Sequence, residues 1–435
     1  MLTFLAYAMI LTFMAAIMTG RLSALIGLIL VPIVFALLAG FGPEIPTLVM
    51  DGMRKIAPTA VLLLFAILYF AMMIDVGLFD PLVRLVVRSC HGDPLRVVVG
   101  TCALSMAISL DGDGSTTYLL VVTAMMPLHQ RLGINPLILP AVTVIPNAII
   151  NVAPWGGPTA RVMSSLHTDV GNTFVPLLPA MAIACLAALL IAAWLGLGER
   201  RRLGTLSAEG FGAADLARQV EDSTRGIVSR PRWLQAFNIV LTLAMMVLLV
   251  LDVMPLALVF MVGFAIAMLV NFPNVEAQRE RIAAHAGSVL AVVSVVFGAG
   301  AFTGIMMGTG MTDALAQSVV ALIPAQAGSY IPLITALLSA PFTFFLSNDA
   351  FYFGVVPVLA QAAAAYGIAP EVIARASLVG QPVHMLSPLV PAAYVLVGLA
   401  KVEFGAHLRF TLKWSVLVAL VMLAAAVATA PVPLG

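Results

Sequence analysis

Apolar runs near residues 2–19, 23–41, 57–78, 97–109, 118–128, 136–153, 173–197, 235–252, 254–271, 288–310, 329–346, 351–366, 372–398 and 410–430 follow one another along this 435-residue chain. A helix needs about 20 apolar residues to cross a hydrocarbon core, so the longer runs predict membrane helices. Others are too short to span alone. The runs 97–109 and 118–128 meet at Leu110-Asp-Gly-Asp-Gly-Ser-Thr-Thr-Tyr118, and 329–346 and 351–366 meet at Leu346-Ser-Asn-Asp-Ala-Phe-Tyr352. Short apolar helices joined by a polar tip predict re-entrant hairpins, because irregular backbone at membrane depth is tolerated only against protein or a polar cavity. Proline and glycine interrupt two further runs, at Asn147-Ala-Ile-Ile-Asn151-Val-Ala-Pro154-Trp-Gly-Gly-Pro158-Thr-Ala-Arg161 and at Gly380-Gln-Pro382-Val-His384-Met-Leu-Ser387-Pro388. These predict broken helices with freed carbonyls.

The interruptions are related to each other. Tyr118 and Tyr352 lie 234 residues apart, as do Pro154 and Pro388, and Asp75-Val-Gly-Leu-Phe-Asp80-Pro-Leu matches Gly308-Thr-Gly-Met-Thr-Asp313-Ala-Leu at an offset of 233. Each half also opens with two apolar runs followed by a charged amphipathic stretch, Pro43–Lys55 and Pro273–His285. The chain therefore divides into a first membrane repeat (1–197), a linker (198–234) and a second membrane repeat (235–435). The linker opens with Glu199-Arg-Arg-Arg202 and adds Arg218, Arg225, Arg230 and Arg232, seven of the 21 basic residues, so the positive-inside rule makes it cytoplasmic. An odd number of crossings per half would make the repeats inverted, with a pseudo-two-fold axis in the membrane plane and a site at the midplane.

Composition sets the class: 62% of residues are hydrophobic and only 9% charged, which describes an all-α polytopic membrane protein with room for about ten to fourteen membrane segments. A net charge of +1 with no basic stripe disfavours nucleic acid as a partner. Cys90, Cys102 and Cys185 are unclustered and suit packing better than a disulfide framework or a metal site. Met1–Gly20 lacks a basic leader region and a cleavage signature, so it reads as the first retained span of an inner (plasma) membrane protein.

Carboxylates at membrane depth are costly and mark function. In the first tip, Gly112 and Gly114 let the backbone turn and expose amides, Ser115 and Thr116 can cap the next helix, and a helix N-terminus there suits a carboxylate ligand. Asp111 and Asp113 are hard oxygen ligands for a cation, or proton carriers. In the equivalent place of the second half, Ser347 and Asn348 are candidate substrate contacts and Asp349 a further candidate metal ligand or proton carrier. Plain helix capping in a solvent loop is the competing reading of both tips. In the broken helices, Asn151, Gly156, Gly157, Thr159 and Ser387 offer polar or backbone contacts. Arg161 is a candidate bidentate clamp on a carboxylate, against snorkelling to the interface, and His384 a relay or anion ligand, against a packing role. Asp75, Asp80 and Asp313 read as caps or loop residues, and Arg84, Arg88, Arg96, Arg279 and Arg281 as interfacial anchors.

At these residues the chain closely resembles the citrate–divalent-metal:proton symporter family, a branch of the ion transporter superfamily. The motifs are Ala57-Pro-Thr-Ala-Val-Leu62, Phe65-Ala-Ile-Leu-Tyr69, Gly77-Leu-Phe-Asp-Pro81, Gly92-Asp-Pro94, the first tip, and Pro154-Trp-Gly-Gly-Pro-Thr159. The resemblance implies uptake of citrate complexed with a divalent cation such as Mg2+ or Ca2+, coupled to protons, with no tightly bound cofactor. It also implies a homodimer in the lipid bilayer with a scaffold domain and a moving, elevator-like transport domain. Relatives in the superfamily carry a Ser-Asn-Thr signature at each tip that holds sodium and substrate carboxylate. Only Ser347-Asn348 keeps part of it here, and the first tip departs from it with two aspartates, which fits protons or a metal-bearing substrate better than sodium. The alternatives are a related di- or tricarboxylate, ion/proton exchange on the same fold, and, remotely, a membrane-embedded aspartyl enzyme using Asp111 and Asp113.

Overall fold

The computed structural model describes residues 1–90, 92–112, 114–204, 231–251, 253–320 and 325–429. Asp113 and most of the expected linker, with Arg218, Arg225 and Arg230, lie outside the described residues. Among the described residues every regular element is helical, and seven helices are long and apolar enough to cross a membrane. Leu2–Ile17, Ala24–Leu38, Ile138–Ile150, Leu256–Asn271 and Pro391–Ala400 are shorter apolar helices.

The first half contains α1 (Leu2–Met18), α2 (Ala24–Leu38), α3 (Ile45–Asp75), α4 (Asp80–Ser89), α5 (Pro94–Ile108), α6 (Gly114–Leu132), α7 (Ile138–Ile150), α8 (Gly157–Leu166), α9 (Val170–Thr173) and α10 (Leu178–Leu203). The second contains α11 (Arg232–Leu251), α12 (Leu256–Asn271), α13 (Val275–Gly308), α14 (Met311–Val320), α15 (Ile331–Phe345), α16 (Asn348–Ala350), α17 (Val356–Ala364), α18 (Pro370–Leu378), α19 (Gln381–His384), α20 (Pro391–Ala400) and α21 (Phe404–Thr429). Polar caps set several starts: Ser23 receives Ile26 N, Asp93 receives Leu95 N ahead of Pro94, and Asn274 receives Glu276 N. The run expected to end at 197 continues to Leu203, because buried Glu199 accepts Asn135 N at 3.1 Å and three arginines suit the negative end of α10.

Helices α3 and α13 form the spine. At 31 and 34 residues they are about 46 and 51 Å long, well beyond the ~30 Å hydrocarbon core. They run antiparallel: Gly52 faces Gly300 and Gly304, while at the other end Asp75 meets Arg281 and His285. A Cβ on Gly52 would lie 2.0 Å from Gly300 O, and one on Gly304 would lie 2.3 Å from Leu48 O, so the two backbones touch there. Small residues at four-residue spacing permit that approach. Packing is reciprocal, with α3 against α12 and α13 against α2. Beside the spine lie two bundles of short helices, in which α5 packs on α7 and α15 on α18, and α20 of one half crosses onto α6 of the other.

Candidate functional site

The first tip forms where α5 winds through a 3₁₀ turn, Ser109–Asp111, into Gly112 at φ 77°. That left-handed backbone favours glycine, and a Cβ there would also strike Trp155 Cδ1 at 2.9 Å. Trp155 is the anchor of this region. Its indole donates to Leu110 O at 2.7 Å, and its ring stacks on Phe70 and meets Phe260 edge-on, tying the break between α7 and α8 to α3 and α12. Asn147 donates to Ser109 Oγ at 3.0 Å and accepts from Tyr118 OH at 3.0 Å. Asp111 is buried and receives Thr117 Oγ1 at 3.4 Å.

The second tip repeats this wiring. Gln381 donates to Tyr352 OH at 2.7 Å, the counterpart of the Tyr118–Asn147 bond at the offset of 234 for both partners. Ser387 donates to Phe344 O at 2.6 Å, the carbonyl equivalent to Leu110 O, and His384 Nδ1 donates to Thr343 O at 2.6 Å. In each half the broken helix thus clasps the end of its own hairpin arm. Ser347 caps α16 by accepting Ala350 N at 3.2 Å, Asn348 accepts from Gln381 at 3.4 Å, and a π turn, Phe351–Val355, follows where a plain helix was expected. Thr159 donates to Val152 O at 2.6 Å, and Gly156 passes so close to Asn151 O that a Cβ would overlap it. Two buried acceptors, Asn151 Oδ1 and Gln381 Oε1, have no partner among the described residues.

Arg161 joins the halves. Its Nε donates to Asp349 Oδ1 at 2.6 Å and its Nη1 to Gly157 O at 3.0 Å, so the guanidinium bridges α8 and the second tip. The halves differ here: Asp349 stands at the position equivalent to Ser115, and Arg161 at that equivalent to Val395. Gly114 packs against Met385 of the second half, with Met385 Cε 3.1 Å from where its Cβ would lie.

A cavity of about 470 Å³ opens between the first tip and the spine, lined by Asp111, Gly112, Thr116, Trp155 and Gly157 on one side and by Ile67, Ala71, Ile74, Asp75, His285, Ser288 and Val292 on the other. Nothing local in the sequence marks its second wall. Asp75, expected to be a cap or loop residue, is buried, and its Oδ2 accepts from His285 Nε2 at 2.7 Å and from Arg281 Nη1 at 3.4 Å. Charges 206 and 210 residues apart in sequence gave no local signal. Arg161, Asn348, Asp349, His384 and Ser387 do not line this cavity. A second cavity, about 600 Å³, lies toward the other end of α3 beside Lys55, Thr59, His167 and Asp169. Burial, with the Lys55 ammonium beside it, holds His167 below the usual imidazole range.

Paired hairpins, broken helices and a charged cavity against a helical spine define a polytopic transporter. The chain belongs to the citrate transporter family, which it matches over residues 5–380. A citrate transporter of Bacillus subtilis (strain 168) is 52% identical to it over 98% of both chains, and a Mg(2+)/citrate complex secondary transporter of the same organism is 48% identical over 98% of both. Among solved structures, the YdaH transporter of Alcanivorax borkumensis shares the fold at a TM-score of 0.56 and 13% identity, covering 89% of this chain and 88% of its own. MtrF of Neisseria gonorrhoeae does so at 0.50 and 14%, covering 92% and 87%. This protein is a multi-pass plasma membrane transporter, and the family retires the aspartyl-enzyme alternative.

Proposed function

We propose that the chain imports citrate as a complex with a divalent metal ion, in symport with protons. The observation that carries this reading is the cavity against the first tip, which presents carboxylates (Asp111, Asp75), cationic or ionisable nitrogen (Arg281 behind Asp75, His285), hydroxyls and the N-terminus of α6 within one enclosure. Citrate is trianionic near neutral pH, and pairing it with a divalent cation leaves a charge of about −1, which is far less costly to desolvate. Such a complex needs partners of both signs. The amides of the α6 N-terminus and Thr116 suit carboxylate oxygens. Asp111 suits the metal's hard-oxygen shell. The relative that transports a Mg(2+)/citrate complex supports this assignment of cargo.

The reciprocal packing and the antiparallel run of α3 and α13 support a pair of inverted repeats, 1–197 and 235–435, joined by a cytoplasmic linker. In this reading the spine and its flanking helices are the scaffold, the hairpin bundles are the transport domain, and two copies form a homodimer. In proteoliposomes, radiolabelled citrate uptake should require a divalent cation and rise with an inward proton gradient. Uptake indifferent to both would overturn the proposal.

A further inference from the structure

We infer that His285, held on Asp75, is the group that carries the coupled proton in the cavity against the first tip. The inference rests on the symport proposed above and places its proton on a residue outside both tips. Among the described residues, three elements present charge here: Asp75 on α3, Arg281 and His285 on α13, and Asp111 on the first tip. Glu280, also on α13, pairs with Arg281 at 2.7 Å but is exposed. With the imidazole neutral, Asp75, Arg281 and Asp111 sum to one negative charge, which repels a complex of charge −1. Protonating the imidazole removes one unit of that negative charge, which lowers the repulsion the complex meets.

The hydrogen bonds assign the chemistry to one atom. Asp75 Oδ2 can only accept, so His285 Nε2 donates to it at 2.7 Å, and the neutral ring offers Nδ1 as the acceptor that takes up and returns the proton. Arg281 is a fixed cation that gives Asp75 a permanent counter-charge, which leaves the imidazole as the switch. Among the described residues lining the cavity, His285 is the one imidazole. His384 is committed to Thr343 O and stands elsewhere. The trio also occurs once in the repeat: at the offset of 233, Asp75, His285 and Arg281 correspond to Gly308, Gly52 and Leu48. By linkage, a proton that raises the affinity for the complex is itself bound more tightly when the complex is present, which is the requirement for symport.

The test is Mg2+–citrate binding to the purified full chain between pH 6.5 and 8.5, with concentrations expressed as the fully ionised complex, together with the number of protons taken up on binding. For the wild type, affinity should rise toward low pH by up to about tenfold per unit, with net proton uptake. His285→Gln should bind weakly and His285→Arg tightly, both without pH slope or proton uptake. A wild-type slope preserved in His285→Gln would overturn the assignment while leaving symport intact. A wild type that binds the complex with no slope and no proton uptake would overturn the symport reading and the assignment together. If His285→Gln fails to fold, His285→Arg decides: proton uptake retained there sinks the inference.

Discussion

Arg161 and Asp349 are 188 residues apart in the chain and 2.6 Å apart in space, and each is about four-fifths buried. Leaving one partner of such a pair unpaired costs up to about 3 kcal/mol, whereas removing both costs less. Arg161→Leu should therefore lower thermal stability in detergent more than Arg161→Leu combined with Asp349→Leu. A double variant that loses the sum of the two single effects would show that the pair is not coupled. The sequence marked both residues as functional candidates, since charge in apolar runs is costly wherever it occurs. It did not show that they meet, because one lies after a broken helix and the other in a hairpin tip. Asp75, Arg281 and His285 were harder still. Asp75 closes α3, while Arg281 and His285 lie about two to three turns into α13, and only the antiparallel contact brings the three together.

At the scale of elements, the α3–α13 crossing tolerates no side chain at its tightest point. Gly52→Ala should lower the thermal midpoint or prevent accumulation of folded protein, as inserting a methyl against a backbone carbonyl costs about 1–3 kcal/mol or more. Gly287→Ala on the same α13 meets nothing within 4 Å and should be neutral or stabilising by up to about 1 kcal/mol through helix propensity. Equal effects at the two glycines would remove the case for close backbone contact. The hairpins and broken helices were readable as interruptions of apolar runs. The π turn after Asn348–Ala350 was not, because a shift of hydrogen-bond register leaves composition unchanged.

At the scale of the molecule, the cavity lies between a hairpin bundle and the spine, so a transport domain that slides must change the distance between the first tip and α3. With the native cysteines replaced, Ala71→Cys and Thr116→Cys line opposite walls of this cavity. Joining them with a reducible bifunctional thiol reagent should arrest citrate uptake, and reduction should restore it. Undiminished uptake by the cross-linked protein would rule out relative motion of these walls.

What the sequence determined by itself follows from local physics. Lengths of apolar run dictate membrane helices, proline and glycine dictate breaks, and matched motifs recur at an offset of 233–234 residues. Those features, with the family's motifs, were sufficient for fold class, for transport and for the tips as candidate sites. Tertiary structure alone decided which polar groups share an enclosure. It clasped each broken helix onto its own hairpin, paired Arg161 with Asp349, and gave the first tip a facing wall that includes Asp75 and His285, with Arg281 behind Asp75. The reason is that partner choice among buried charges depends on how whole helices cross, and helix crossing is set by small residues such as Gly52 and Gly304, far from the charges they bring together.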